Sequence, residues 1–319
     1  MYRVLAILSL VNIFMPLTVS KYMNNENPVT STSKNKDIVF RVVNGVAANL
    51  GEIPYQVSLK APSKKKKKKN KKARYYSFCG GSVIAENKVL TAAHCLTEEG
   101  NACQTLCKQY NMKSLTKLYV VAGTLRNKAE FQKDKEGTEQ WRRMTRVAIQ
   151  NGYWFPKNDI CIAFTKTLFR FNEYVKPLPL ASRKMEYGSM ECLASGWGKI
   201  NETKASDILL WANLRLIPGY QCSRMHKRNM RHFICTASNA TNVLKGDSGG
   251  PLVCKGTDDP NDKGEGVIAG VVSGARVSSE RKPFFTRVTS HLEFLKNEAT
   301  ITTPVFCNVL LTQIILNFN

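Results

Sequence analysis

From residue 42 to about residue 288 the chain never sustains a long apolar run. Short stretches rich in Val, Ile, Leu and aromatic residues, such as residues 55–59, 82–84, 118–121 and 267–272, alternate with clusters of Gly, Pro, Asn and Lys. Many short strands punctuated by turn signals predict an all-β sandwich or barrel. One helix is expected near residues 289–297, where Leu292 and Leu295 fall on one face. No internal repeat is visible. The 319 residues suffice for one large domain or two fused half-domains.

The ends differ from this middle. Residues 1–20 begin with Tyr2 and Arg3, run apolar from Val4 to Leu17 and finish in Thr18-Val19-Ser20. An apolar run this short, containing Asn12 and Pro16, fits a cleaved secretory signal better than a membrane span; an uncleaved anchor is the other reading. Residues 21–40 are polar, rich in Asn, Ser, Thr and Lys and without periodicity, which predicts a flexible segment. The tail from Pro304 to Asn319 has apolar patches interrupted by Asn and Gln. It is expected as an added strand, an interfacial segment or a loose end, with a glycolipid-anchor signal as the alternative; a membrane span is not expected.

The net charge is +23, part of it concentrated in Lys64 to Lys69 and in Lys71 and Lys72. Lysines this dense repel one another in a packed element, so the tract is expected as a loop. As a loop it either stays solvated without a partner or draws acidic glycans, acidic proteins or anionic surfaces with salt-sensitive affinity. Nucleic acid would bind by the same electrostatics, but a secreted chain is not expected to meet it. Secretion also suits the ten cysteines. It would make the sequons at Asn201 and Asn239 usable for glycosylation.

Three motifs carry chemistry. Thr91-Ala92-Ala93-His94-Cys95 sets an imidazole beside a cysteine. Asn158-Asp159-Ile160-Cys161-Ile162 puts an aspartate at the mouth of an apolar strand, after the aromatic stretch Tyr153-Trp154-Phe155-Pro156. Such an aspartate is costly to bury unless a donor, for instance an imidazole N–H, partners it. Gly246-Asp247-Ser248-Gly249-Gly250-Pro251 surrounds a serine with glycines, so backbone amides can approach a substrate and converge on one oxygen.

Together and in this order the motifs resemble the chymotrypsin/trypsin family of serine proteases, over roughly residues 41–297. The resemblance implies two six-stranded antiparallel β-barrels with a C-terminal helix. It implies a signal peptide over residues 1–20, a propeptide over 21–41, the protease domain over 42–297 and an apolar tail over 298–319. It also implies a catalytic triad of His94, Asp159 and Ser248, with the backbone N–H groups of Gly246 and Ser248 as oxyanion hole. Ser273, in Val272-Ser273-Gly274, matches the family's serine near the aspartate. Arg41-Val42-Val43-Asn44-Gly45 matches the activation site, whose new amino terminus at Val42 would pair with Asp247. Neither a cofactor nor a metal is implied. The cysteine pairs Cys79–Cys95, Cys192–Cys254 and Cys222–Cys235 match family bridges. Cys103 and Cys107 are left to bridge each other or, less in keeping, to bind zinc; Cys161 is expected as a buried free thiol; Cys307 is unassigned.

The specificity pocket departs from the family. Asn242 stands where trypsin-like members carry the aspartate that binds Lys or Arg, so a basic preference is not expected. Leu244 replaces a cysteine whose usual partner is also missing from residues 277–282. The pocket-entrance strand reads Ser273-Gly274-Ala275, and Pro283-Phe284-Phe285-Thr286 is shortened and bulkier. A small, shallow or blocked pocket is expected, with Lys245 beside the oxyanion hole. Two readings follow: a narrow-specificity endopeptidase acting on protein or peptide substrates after an activating protease has cut it, or a protease homologue with weak or no activity that binds or regulates.

Overall fold

A computed structural model describes residues 45–63, 73–97, 114–131, 138–184, 190–200, 203–237, 243, 246–276 and 282–300. After the two-residue strand β1 (Val46–Ala47), six longer strands and one short one follow. They are β2 (Gln56–Pro62), β3 (Arg74–Ala85), β4 (Lys88–Thr91), β5 (Tyr119–Ala122), β6 (Lys128–Glu130), β7 (Gln140–Ile149) and β8 (Cys161–Thr165). The second half supplies β9 (Glu191–Gly196), β10 (Leu210–Ile217), β11 (Phe233–Thr236), β12 (Pro251–Cys254), β13 (Val267–Arg276) and β14 (Lys282–Arg287).

Strands β2, β5, β7, β8, β4 and β3 form one antiparallel ring, closed by the β2–β3 pairing, with β6 on its edge. Strands β10, β11, β14, β13, β12 and β9 form a second ring, closed by β9–β10, and β1 is added to β10. The fold is therefore two six-stranded antiparallel barrels with a short C-terminal helix, as the resemblance implied. Closure removes the unpaired edges that short apolar strands would otherwise expose. Burial follows position: β10 alternates between core and outside, whereas every residue of β8 and β12 is buried. The second barrel has its own core of Leu210, Leu214, Leu252, Ala269 and Phe285, among others.

Each end of the domain reaches across to the other barrel. Near the amino end, β1 pairs with β10. At the carboxyl end, α2 (Leu292–Thr300) buries Leu295 against the first barrel's core and pairs Glu298 with Arg146 at 3.0 Å. This is the expected late helix, begun three residues further on because residues 288–290 form a 3-10 turn first. A second helix, α1 (Gly219–His226), was not anticipated; it is tied to β11 by Cys222–Cys235 and ends at Lys227 in the left-handed region. The bridges Cys79–Cys95 and Cys192–Cys254 are also formed.

Lys60 on β2 has no exposed surface. Its ammonium donates to the carbonyls of Arg126 at 2.6 Å and Asn127 at 2.7 Å, and it lies 6.0 Å from the Trp197 ring. Burial pushes its pKa down from 10.5 to about 7, with Glu139 opposing. Between those values the folded chain holds a neutral amine and the unfolded chain an ammonium. The unfolded state then binds more protons, and this group's contribution to stability rises with pH. Comparing the native protein with Lys60→Met by denaturant unfolding, we expect the difference to move toward the native protein by about 1.4 kcal/mol per pH unit above pH ~7. Carbonyls left unsatisfied in the variant add only a pH-independent offset; a difference that stays flat with pH would mean Lys60 keeps its proton.

Candidate active site

His94 sits in a 3-10 turn (Ala93–Cys95) directly after β4, and the Cys79–Cys95 bridge ties that turn to β3. Asp159 lies two residues before the buried strand β8 and is itself fully buried. Three donors meet its carboxylate. The His94 backbone N–H reaches Oδ1 at 2.9 Å, His94 Nδ1 reaches Oδ2 at 2.8 Å, and the Ser273 hydroxyl reaches Oδ2 at 2.5 Å. They offset the desolvation that full burial imposes on the aspartate. With Nδ1 engaged as a donor, Nε2 is left as the imidazole's acceptor.

The serine turn lies against the histidine turn. Ser248 is half-buried, and its carbonyl accepts from the N–H of Gly80 at 2.8 Å. Gly249, at φ +77°, is pressed so close to Thr91 Oγ1 and the Gly80 carbonyl that a Cβ there would overlap both, and that Cβ would lie 3.2 Å from the Ala92 nitrogen. The same turn is zipped onto β13: Gly249 N–H donates to Val272 at 2.8 Å, and Val272 N–H to Gly250 at 2.9 Å. Ser273 follows at once. The β13–β14 register slips between Val272 and Gly274, and such a bulge re-aims a side chain; here Ser273 leaves the ladder and turns to Asp159. Among the described residues, neither the Gly246 nor the Ser248 N–H is consumed by another group, and no hydrogen bond joins Ser248 Oγ to His94 Nε2. In ligand-free sites that last contact is often long and tightens with substrate.

Asp247 is buried and accepts the Gly198 N–H at 2.7 Å; a side chain at Gly198 would occupy the carboxylate's own space. Thr286, which carries no signal of its own in the sequence, donates its hydroxyl to the Asp159 carbonyl at 3.0 Å. Phe155 stands edge-on to the His94 ring with centroids 5.5 Å apart. Cys161 is a buried free thiol whose pKa is pushed well up by burial and by Asp159.

Phe284 and Phe285 face opposite ways. Phe284 turns toward α1, edge-on to His226 and Phe233 at 5.4 Å each, and its tip crowds Gly274. Phe285 belongs to the second barrel's core. Ser273, Gly274 and Ala275 therefore form a strand backed by Phe284. Asn242, Leu244, Lys245, Arg41, Val42, the lysines from Lys64 to Lys72, both sequon asparagines, Cys103, Cys107 and Cys307 lie outside the described residues. No helix among the described residues is long and apolar enough to cross a membrane.

A family model described as Trypsin matches residues 42–295. The sequence is 29% identical to a venom serine protease of Polistes dominula over 269 residues, which is 82% of this chain and 86% of that protein. It is 26% identical to coagulation factor IX of Cavia porcellus over 280 residues, 83% of this chain and 84% of the relative. It is 26% identical to cathepsin G of Mus musculus over 264 residues, 80% and 84% respectively.

Proposed function

Because the chain belongs to the trypsin family of serine proteases, we propose that it is secreted as a precursor, cut after Arg41, and then acts as an endopeptidase through an acyl-enzyme on Ser248. In this reading Ser248 Oγ attacks the scissile carbonyl, His94 takes the proton and passes it to the leaving amine, and Asp159 holds the imidazole in the productive tautomer. The N–H groups of Gly246 and Ser248 hold the oxyanion. The new amino terminus at Val42 pairs with the buried Asp247, which offsets the cost of burying an ammonium.

The observation that carries the reading is the Asp159–His94 contact at 2.8 Å, with the Ser248 turn packed directly on the residues preceding His94. Asn242 and the missing pocket bridge argue against cleavage after Lys or Arg. The strand Ser273-Gly274-Ala275 is the expected rail for the substrate backbone, and small or apolar side chains are the expected preference. The lysine tract is the region that would hold acidic glycans or acidic proteins.

The altered pocket also favours a second reading, a homologue that binds or regulates without turnover. A fluorophosphonate probe separates the two. We expect Ser248 to be labelled after cleavage at Arg41 and hardly at all in Arg41→Gln. Absence of labelling in correctly cut, folded protein would leave the non-catalytic reading standing.

A further inference from the structure

The hairpin that leads into Asp159 has a second neighbour besides His94. Lys157 and Asn158, at its end, form one wall of a cavity of about 310 Å³. The turn after α1 supplies Arg228, Arg231 and His232, and His291, just before α2, closes the floor beside Thr286. No carboxylate lines this cavity among the described residues. Among the described residues, Lys157, Arg228 and Arg231 make no ion pair there.

Converging like charges are unfavourable when nothing neutralises them. The histidines are shifted chiefly by burial, with the neighbouring charges adding in the same direction. His232 has its pKa lowered by burial and then by Arg231, Arg287 and Lys157; His291 has its own lowered to about 4 by burial and then by His232. The donors are also held in place. Arg228 lies over the rings of Phe233 and Phe284 at 5.7 and 5.5 Å. Arg231 Nε donates to His232 Nε2 at 2.8 Å, which leaves the ring's proton on Nδ1. His291 is buried, with 6% exposure, yet its Nε2 has no hydrogen-bond partner among the described residues.

We propose that this cavity binds the anionic group of a sulfate or phosphate monoester. A tetrahedral oxyanion takes several N–H donors at once, and fixed cationic donors bind it through short, charge-assisted bonds. The volume is at the low end for small-molecule sites, of the order of 300 Å³. It admits the anion with one sugar-sized carrier, for which Pro156 and Phe233 offer apolar contact. The site is separate from the lysine tract and independent of whether Ser248 turns over substrate. It adjoins Asp159 through Asn158, and through Thr286, which lines the cavity and holds the Asp159 carbonyl.

The test uses the full chain and three probes: N-acetylglucosamine 6-sulfate, its 6-phosphate counterpart and the unsubstituted sugar. With only four histidines in the chain, the imidazole signals of His232 and His291 can be followed by NMR during titration. The expected result is a saturable shift of both signals with one or both esters and none with the neutral sugar. Binding to both assigns the oxyanion itself; binding to one identifies which. The double variant Lys157→Gln/Arg231→Gln should weaken binding about tenfold or more, while removal of the lysines from Lys64 to Lys72 should leave it unchanged. Should the double variant not fold, Lys157→Gln alone carries the test, because Lys157 is exposed. No saturable shift with either ester, or equal affinity in the variant, overturns the proposal.

Discussion

Ser248→Ala is expected to lower kcat/KM of the processed protein by about 10⁶-fold, while leaving its fold and its ability to bind a substrate-like peptide intact. The change removes one oxygen from a half-buried side chain, and the turn around it is held by other groups. Gly80 N–H grips the Ser248 carbonyl, Gly249 and Gly250 bond to β13 and to Asp247, and Gly249 packs on Thr91. None of these contacts uses the serine hydroxyl, so the variant keeps its backbone geometry and its oxyanion donors. The loss is therefore one of nucleophile, not of structure. The measurement is hydrolysis of a peptide chosen by library profiling, with thermal unfolding as the control for folding. A native protein as slow as the variant would remove the endopeptidase reading and leave the binding or regulatory one.

The parts of this molecule that were legible in the sequence are those fixed by local pattern. Short apolar runs became β2, β3, β5 and β13 because alternation and flanking turn residues determine strands at short range. The histidine, aspartate and serine motifs were read together from their order and the small and glycine residues beside them, which the family resemblance made meaningful, and the structure brings His94 to Asp159. Helix α1 was not legible: Pro218 and Gly219 open it, its apolar face is weak, and the Cys222–Cys235 bridge holds it in place. The direction of Phe284 was also out of reach, although the family resemblance had put Ser273 near the aspartate. It depends on the register slip between Val272 and Gly274, and a shift of one residue moves every later side chain to the other face. Thr286 escaped notice for the same reason, since its link to the Asp159 carbonyl joins residues far apart in the chain.

Asp159→Asn should reduce kcat/KM by about 10⁴-fold, the size expected when the triad imidazole is held in the wrong tautomer. The reason can be worked out from the three donors around the carboxylate. An amide must put its NH₂ in place of either Oδ1 or Oδ2. At Oδ1 it would face the backbone N–H of His94, a donor that cannot reverse. At Oδ2 it faces the Ser273 hydroxyl, which can rotate to accept, and His94 Nδ1, which can accept if its proton moves to Nε2. The second arrangement satisfies every group and is the one the amide will adopt. It leaves Nε2 protonated, unable to take the Ser248 proton, in a site that is otherwise undisturbed. Nitrogen NMR of His94 should therefore show the proton on Nδ1 in the native protein and on Nε2 in the variant, with little change in melting behaviour. A variant that keeps the native tautomer and most of its activity would mean that Asp159 does not orient the base.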